Sequence, residues 1–355
     1  MEGLVKAYRG KRVFITGHTG FKGAWLCEWL LMLGAEVHGY ALKPPTKPSL
    51  FNQLRLGMRI SSHILGDIRD IKSLSRAVKA ARPDFIFHLA AQPIVRYSYA
   101  HPVETFDTNV MGTVNLLEAC RKLKNPCAVV CVTTDKVYEN DDSGKAFSEN
   151  DPLGGSDPYS ASKGACEIAI QSYRRSFFSS PDSLVRVASA RAGNVIGGGD
   201  WAQDRIVPDA MRAFLGSKPL TIRNRKSTRP WQHVLEPLSG YLSLGAALAK
   251  DPKFATSFNF GPDPKSVKTV GELVTNLATL FPDAKVEDFT DPAAPHEAKL
   301  LTLDSSKAKQ MLRWTGRWNF KRTVRETAEW YKGRYCSASA LDLCRAQIES
   351  YMYCK

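Results

Sequence analysis

The chain has 355 residues, 43% hydrophobic and 24% charged, enough apolar mass for two domains or one large α/β unit. Its 49 basic residues outnumber 35 acidic ones, a net charge of +14, yet they are scattered. No helix-turn-helix, zinc-finger or ribonucleoprotein pattern accompanies them, so the surplus is read as attraction for a small anionic substrate and not for nucleic acid.

The opening MEGLVKAYRGKR lacks the apolar stretch of a secretory leader, and AWLCEWLLMLGA (24–35) is too short to span a bilayer, so no membrane partner is expected. The eight cysteines form no CxxC pair. No metal site is expected, and reduced thiols in a cytoplasmic protein are the better reading.

Six apolar runs of strand type follow in chain order: RVFIT (12–16), EVHGYAL (36–42), HILGD (63–67), DFIFHLA (84–90), CAVVCVTT (127–134) and VRVASA (185–190). Segments with apolar residues at helical spacing separate several of them, among them IKSLSRAVKAAR (71–82) and VETFDTNVMGTVNLLEACRKL (103–123). Near-continuous apolar strands joined by helical crossovers predict a parallel sheet covered on both faces. After about residue 190 Gly- and Pro-rich loops such as GNVIGGGDW and FNFGPDPKS separate helical pieces. The expected fold is a Rossmann-type, doubly wound α/β sheet with a smaller, interleaved C-terminal substrate domain. Residues 1–190 are expected to hold a dinucleotide, with a return segment near 230–262, and residues 191–355 mainly the substrate.

The join between the first strand and the helix that follows it reads VFITGHTGFKGAWLCEWLLMLG (13–34). Gly17 permits a tight turn, Gly20 lets backbone approach a pyrophosphate, and Gly23 allows close helix packing; the anion then meets the positive end of the helix. His18, Phe21 and Lys22 share this loop and are cofactor-binding candidates, as are Ile68 and, in HLAAQ (88–92), Ala90, Ala91 and Gln92. The second strand ends GYALKPP, without the acidic residue that would meet an NAD ribose, and Lys43 there would suit a 2′-phosphate. Asp67 is either an adenine contact or the N-cap of the next helix.

At the exit of the fifth run Thr134, Asp135 and Lys136 place a hydroxyl, a carboxylate and an amine side by side. They are either a solvated turn or an acid, a base and a positioning hydroxyl. Tyr159 and Lys163, in SDPYSASKGACEIAI, lie four residues apart on one helix face. A lysine one turn away, with a positive nicotinamide ring, would favour the phenolate and let Tyr159 take a proton from a sugar hydroxyl.

With these motifs in place the chain, across roughly residues 11–335, resembles the extended short-chain dehydrogenase/reductase superfamily and, within it, the family of CDP-glucose 4,6-dehydratases. The likeness rests on GHTGFKGAWLCEWLL, LKPPTKPSLF, AAQPIVRYSY, TTDKVYEN, SARAGNVIGGGDWAQDRIVPD and RPWQHVLEPLSGYL, with LCRAQIESY near the end. The resemblance implies NAD as cofactor and CDP-glucose, a nucleotide sugar, as substrate. Tyr159 and Lys163 would be the dehydrogenase pair and Thr134 would hold the 4-hydroxyl. Oxidation at C4 acidifies the C5 hydrogen, water leaves from C5 and C6, and hydride returns to C6. Asp135 would be the acid if burial keeps it protonated. Lys136 would be either the C5 base or a stabiliser of the enolate. Arg96, Asn194, Arg205 and Arg229 would meet substrate, and His296 is either a phosphate contact or plain surface. Arg191 is either a phosphate grip or a structural ion-pair partner, Asn109 would support the active-site lysine, and pairing through about 101–123 and 158–178 would give a homodimer or larger homo-oligomer. The rival readings are an epimerase, a dehydratase for another nucleotide sugar, and a non-catalytic dinucleotide-binding regulator. The acid and base of TTDKVY argue against the epimerase, and the intact tyrosine and lysine against the regulator.

Overall fold

The computed structural model describes residues 2–140, 144–289 and 301–354. Seven strands form its central sheet: β1 (Arg12–Thr16), β2 (Glu36–Ala41), β3 (Ser62–Leu65), β4 (Phe85–His88), β5 (Cys127–Val132), β6 (Val185–Ala192) and β7 (Ser257–Phe260). Their order is β7-β6-β5-β4-β1-β2-β3, every pair parallel. Chain order reverses between β1 and β4, which opens a crevice at the carboxyl ends of those two strands.

Alternation along the strands explains why both faces are apolar. Val13 and Ile15 enter one core with Trp25 and Trp29, while Phe14 enters the opposite core with Leu74 and Leu117. In β5 Ala128, Val130 and Val132 join the first core, and Cys127, Val129 and Cys131 the second. Burial of each aliphatic or phenylalanine side chain contributes roughly 1.5–3 kcal/mol.

The helices that bear on the site are α1 (Phe21–Met32), α2 (Ile71–Ala81), α3 (Gly112–Arg121), α4 (Pro158–Phe177), α5 (Ile206–Leu215), α6 (Leu235–Lys250), α7 (Phe320–Tyr335) and α8 (Ala340–Tyr353). Residues 23–30 of α1 are all buried, including Glu28. An unpaired carboxylate there would be strongly destabilising. Arg59 meets Glu28 through both nitrogens at 2.6 and 2.9 Å, and Arg345 of α8 approaches it at 2.8 Å. The C-terminal helix is thereby fastened to the helix of the glycine loop.

Two segments differ from the sequence reading. The stretch expected as one helix over 103–123 is a short helix (Pro102–Phe106), a π-helical turn (Asp107–Met111) and α3. FNFGPDPKS, read as a loop, contributes its first residues to β7, an edge strand whose two phenylalanines are too few to announce it. Among the described residues no helix is long and apolar enough to cross a membrane.

Candidate active site

Gly17, directly after β1, takes φ +77°, and a β-carbon there would stand 2.7 Å from the Ala90 amide nitrogen. At Gly23 it would stand 2.2 Å from the Gly17 carbonyl oxygen. Gly20 is different: its nearest neighbour would be that same oxygen at 3.4 Å, so its outer side is open. Gly20 caps α1 without any side-chain bond, leaving first-turn N–H groups for an anion. This cradle fits the pyrophosphate of a dinucleotide, and Ala90, Ala91 and Gln92 leave β4 on the other side of the crevice.

The His18 side chain turns inward. Its Nε2 is 2.7 Å from Nδ1 of His63 and its ring covers Gly39, where a β-carbon would stand 2.4 Å from it. Burial, with His63 beside it, holds His18 down at about 4. Ile68 is buried under the π turn, against Gly112. The Asp67 carboxylate is taken by Arg69, through its backbone at 2.9 Å and its guanidinium at 2.6 Å, and it does not cap α2; Asp70 does, accepting from Lys72 and Ser73.

Thr134, Asp135, Tyr159 and Lys163 converge at the carboxyl end of β5, and all four are buried. Thr134 caps the 3₁₀ turn Asp135–Val137, and its hydroxyl donates to Oδ1 of Asp135 at 2.9 Å. Burial raises the Asp135 carboxyl above its ordinary value, although Lys136, the Thr134 hydroxyl, Arg229 and Lys22 all pull it down. Lys136 itself is half-buried.

Asp157 caps α4 through the Ser160 amide, which aims the first turn, with Tyr159, at this end of the sheet. The Tyr159 amide donates to Oγ of Ser98 at 3.1 Å, and Lys163 Nζ reaches the Val132 carbonyl at 3.4 Å. Burial pushes the Tyr159 phenol up to about 12, with a Thr134 hydrogen bond acting the other way. Burial also lowers Lys163. Burial is thus the dominant influence on Tyr159 here, while the lowering expected from Lys163 together with a positive nicotinamide ring concerns the cofactor-loaded site.

Around the mouth, Arg205 pairs with Asp200 at 2.9 Å, and its charge is felt at Tyr159 and at Lys22. Lys22 is held at about 8 by burial, Arg205 and Lys163, against the pull of Asp135. Arg96 is half-buried and Asn194 exposed. Arg229 acts electrostatically on Asp135. His296 lies outside the described residues.

Arg191 resolves as a structural ion-pair partner: it meets Glu167 at 2.8 Å, both fully inside, and donates to the Tyr138 hydroxyl at 2.7 Å. Trp231 and Trp314 are buried in the core. Asn109 bridges the loop after β4 and the helix of the tyrosine: Oδ1 accepts from the Gln92 amide at 2.8 Å and Nδ2 donates to Ser162 at 2.9 Å.

Sequence reasoning passed over Ser98, Ser162 and Gly193. A β-carbon at Gly193 would stand 2.7 Å from Oδ2 of Asp135. Each lies inside a stretch that carried a signal, Ser98 in AAQPIVRYSY, Ser162 in the YxxxK stretch and Gly193 in SARAGNVIGGGDW, but no residue-level pattern marked it. Among the described residues no group of His, Cys, Asp and Glu side chains is placed to hold a metal ion.

The family described as GDP-mannose 4,6 dehydratase matches residues 14–327. CDP-glucose 4,6-dehydratase of Salmonella typhimurium is 47% identical over 349 residues, 97% of this chain and 97% of that one. Among solved structures, dTDP-glucose 4,6-dehydratase from Bacillus anthracis in complex with NAD superposes with a TM-score of 0.75 at 23% identity, covering 93% of this chain and 99% of that one. UDP-glucose 4-epimerase from Thermotoga maritima gives 0.79 at 22%, covering 91% and 99%. These two likenesses concern the fold. The match over residues 14–327 and the 47% identity along nearly the whole chain place it: the protein belongs to the GDP-mannose 4,6-dehydratase family of the extended short-chain dehydrogenases/reductases.

Proposed function

We propose that this protein is an NAD-dependent CDP-glucose 4,6-dehydratase, converting CDP-glucose to CDP-4-keto-6-deoxyglucose and water. The observation that carries the reading is the burial of Asp135 between Thr134 and Gly193, next to Tyr159 and across from the glycine cradle. An epimerase has no use for a protonated acid at that place, and a dehydratase does. The nucleoside is taken from the 47% identical Salmonella relative.

A bound NAD supplies a hydride acceptor at C4 and a hydride donor at C6. Thr134 holds the 4-hydroxyl and Tyr159 removes its proton, with Lys163 as the neighbouring cation. The new ketone acidifies C5–H. Lys136 takes that proton while Asp135 protonates the departing C6 hydroxyl, so the C5–H and C6–O bonds break as water forms. When the hydride is delivered to C6, Lys136 returns its proton to C5 and the C4 carbonyl remains; Tyr159 gives up the proton of the 4-hydroxyl to solvent and Asp135 takes one back, which restores both groups.

Gly17, Gly20, Gly23 and the first turn of α1 would hold the pyrophosphate, and Ala90, Ala91 and Gln92 the nicotinamide side. Arg96, Asn194, Arg205 and Arg229 would hold the substrate's diphosphate and nucleoside. In this reading residues 1–190 with 230–262 bind the cofactor and 191–355 mainly the substrate. The free state of all eight cysteines supports a cytoplasmic setting.

We also infer a homodimer through the helices around 101–123 and 158–178. Val103, Phe106, Met111, Ile168 and Phe177 are all exposed there, an apolar face that association would cover.

Mass spectrometry of purified protein with CDP-, dTDP-, GDP- and UDP-activated hexoses, with and without NAD, tests the function. Loss of one water from CDP-glucose, without net cofactor reduction, is expected. Water loss from another nucleotide sugar alone would overturn the specificity, and none from any would overturn the dehydratase reading.

A further inference from the structure

Behind the site Thr16, His88, Thr113 and Asn109 are buried in one hydrogen-bonded chain. The Ala90 amide donates to Oγ1 of Thr16 at 3.2 Å, and this oxygen lies 2.7 Å from Nδ1 of His88. Nε2 of His88 lies 3.1 Å from Oγ1 of Thr113, whose hydroxyl donates to the Asn109 carbonyl at 2.6 Å.

A hydroxyl has one proton to give. That of Thr113 is committed to Asn109, so His88 Nε2 has to be the donor in their bond. A neutral imidazole with a proton on Nε2 has a bare Nδ1, which accepts from Thr16. The neighbours therefore select one tautomer. Burial, with the charge of Lys163 nearby, holds His88 at about 3 and so keeps it neutral.

Both ends of this chain reach the site. Ala90 belongs to the loop after β4, packed against Gly17. Asn109 receives the Gln92 amide and passes through Nδ2 to Ser162, whose hydroxyl donates to the Tyr159 carbonyl at 2.7 Å. The π turn at Asp107–Met111 is where the helix interrupts its ordinary bonding, and there the Asn109 carbonyl accepts from Thr113 and, at 3.0 Å, from Cys166.

We propose that His88 is a positioning residue for C4 oxidation: its Nε2–H tautomer ties the glycine loop and the loop at residues 89–92 to the helix that carries Tyr159, and so sets the register between cofactor and base. The proposal deepens the dehydratase reading and rests on it.

Two measurements on the NAD-loaded protein test it. In ¹⁵N-histidine-labelled enzyme, with Thr113→Val identifying the signal that moves, His88 should show a protonated Nε2 and a bare Nδ1 from about pH 8 to about pH 6. A proton on Nδ1, or on both nitrogens, would overturn the assignment. In single-turnover assays Thr113→Val, close to isosteric, should slow C4 oxidation roughly 10- to 100-fold with KM for CDP-glucose unchanged, and Thr113→Ser should restore it. Wild-type oxidation in a folded Thr113→Val enzyme would refute the positioning role. Failure of the wild-type protein to dehydrate any nucleotide sugar would instead remove the reading beneath it, while the tautomer remains decided by the NMR result alone.

Discussion

Oδ2 of Asp135 is seated against the α-carbon of Gly193, where a methyl group would stand 2.7 Å away. Burial in that seat raises the carboxyl's pKa, against the downward pull of Lys136, the Thr134 hydroxyl, Arg229 and Lys22. Asp135→Asn should lower water loss by about 10²- to 10⁴-fold while C4 oxidation continues, so reduced nicotinamide accumulates. Gly193→Ala, which displaces the carboxyl without deleting it, should act in the same direction by roughly tenfold. Absorbance of the reduced cofactor, followed beside product mass, checks both; undiminished water loss in Asp135→Asn would place the acid elsewhere.

Lys136→Glu puts a carboxylate beside the Asp135 carboxyl, adding repulsion as well as removing the amine. The expected result is a loss of C5 hydrogen exchange with solvent of at least tenfold, read by deuterium incorporation into product. Full dehydration by this variant would refute any special need for the amine.

Opposite pH responses follow from Tyr159 and Asp135. Burial places the phenol near 12, so between about pH 6 and 9 its ionised fraction rises with pH and C4 oxidation should accelerate. Asp135 works only while protonated, so elimination should slow as pH rises through its elevated pKa. Single-turnover oxidation is expected to climb where steady-state dehydration turns over into a bell. If both climb together to pH 9, Asp135 is not the acid.

His233 tests a stability effect remote from the chemistry. It is fully buried between Trp25 and Trp318, and burial lowers it from 6.5 to about 3. A base with a depressed folded pKa binds protons first in the unfolded chain. Its contribution is therefore complete above about pH 6.5 and is lost as pH falls towards 3. By pH 5 that loss is about 2 kcal/mol. The drop in Tm between pH 7 and pH 5 should be smaller in His233→Phe than in wild type; an equal drop would show that His233 is not neutral inside.

Val103 is 81% exposed and Ile168 58%, on the paired helices inferred to join two copies. A Val103→Glu, Ile168→Glu protein should sediment at half the wild-type mass. A wild-type protein that already sediments as a monomer would remove this interface.

Local chemistry carried much of the fold into view. RVFIT coincides with β1, Ile71–Ala81 with its apolar spacing, and the three glycines with a turn, an opening and a close packing contact. These are short-range effects, set by backbone sterics and by which face of an element each residue takes. The dehydrogenase pair and TDK were legible for the same reason, since four residues on a helix and three at a strand end are neighbours in any fold.

Residue order alone set the type and succession of the elements and the identity of the reactive groups. The surroundings of those groups came from packing between segments far apart in the chain. Arg191 could be assigned to Glu167 only once β6 and α4 were packed together, 24 residues apart in the chain. The seat of Asp135 depends on Gly193, and the tautomer of His88 on a threonine from each of two other elements. Desolvation explains the difference: the charge on Tyr159 or Asp135 is governed by how much water the folded chain excludes, and that is settled by contacts between segments distant in sequence.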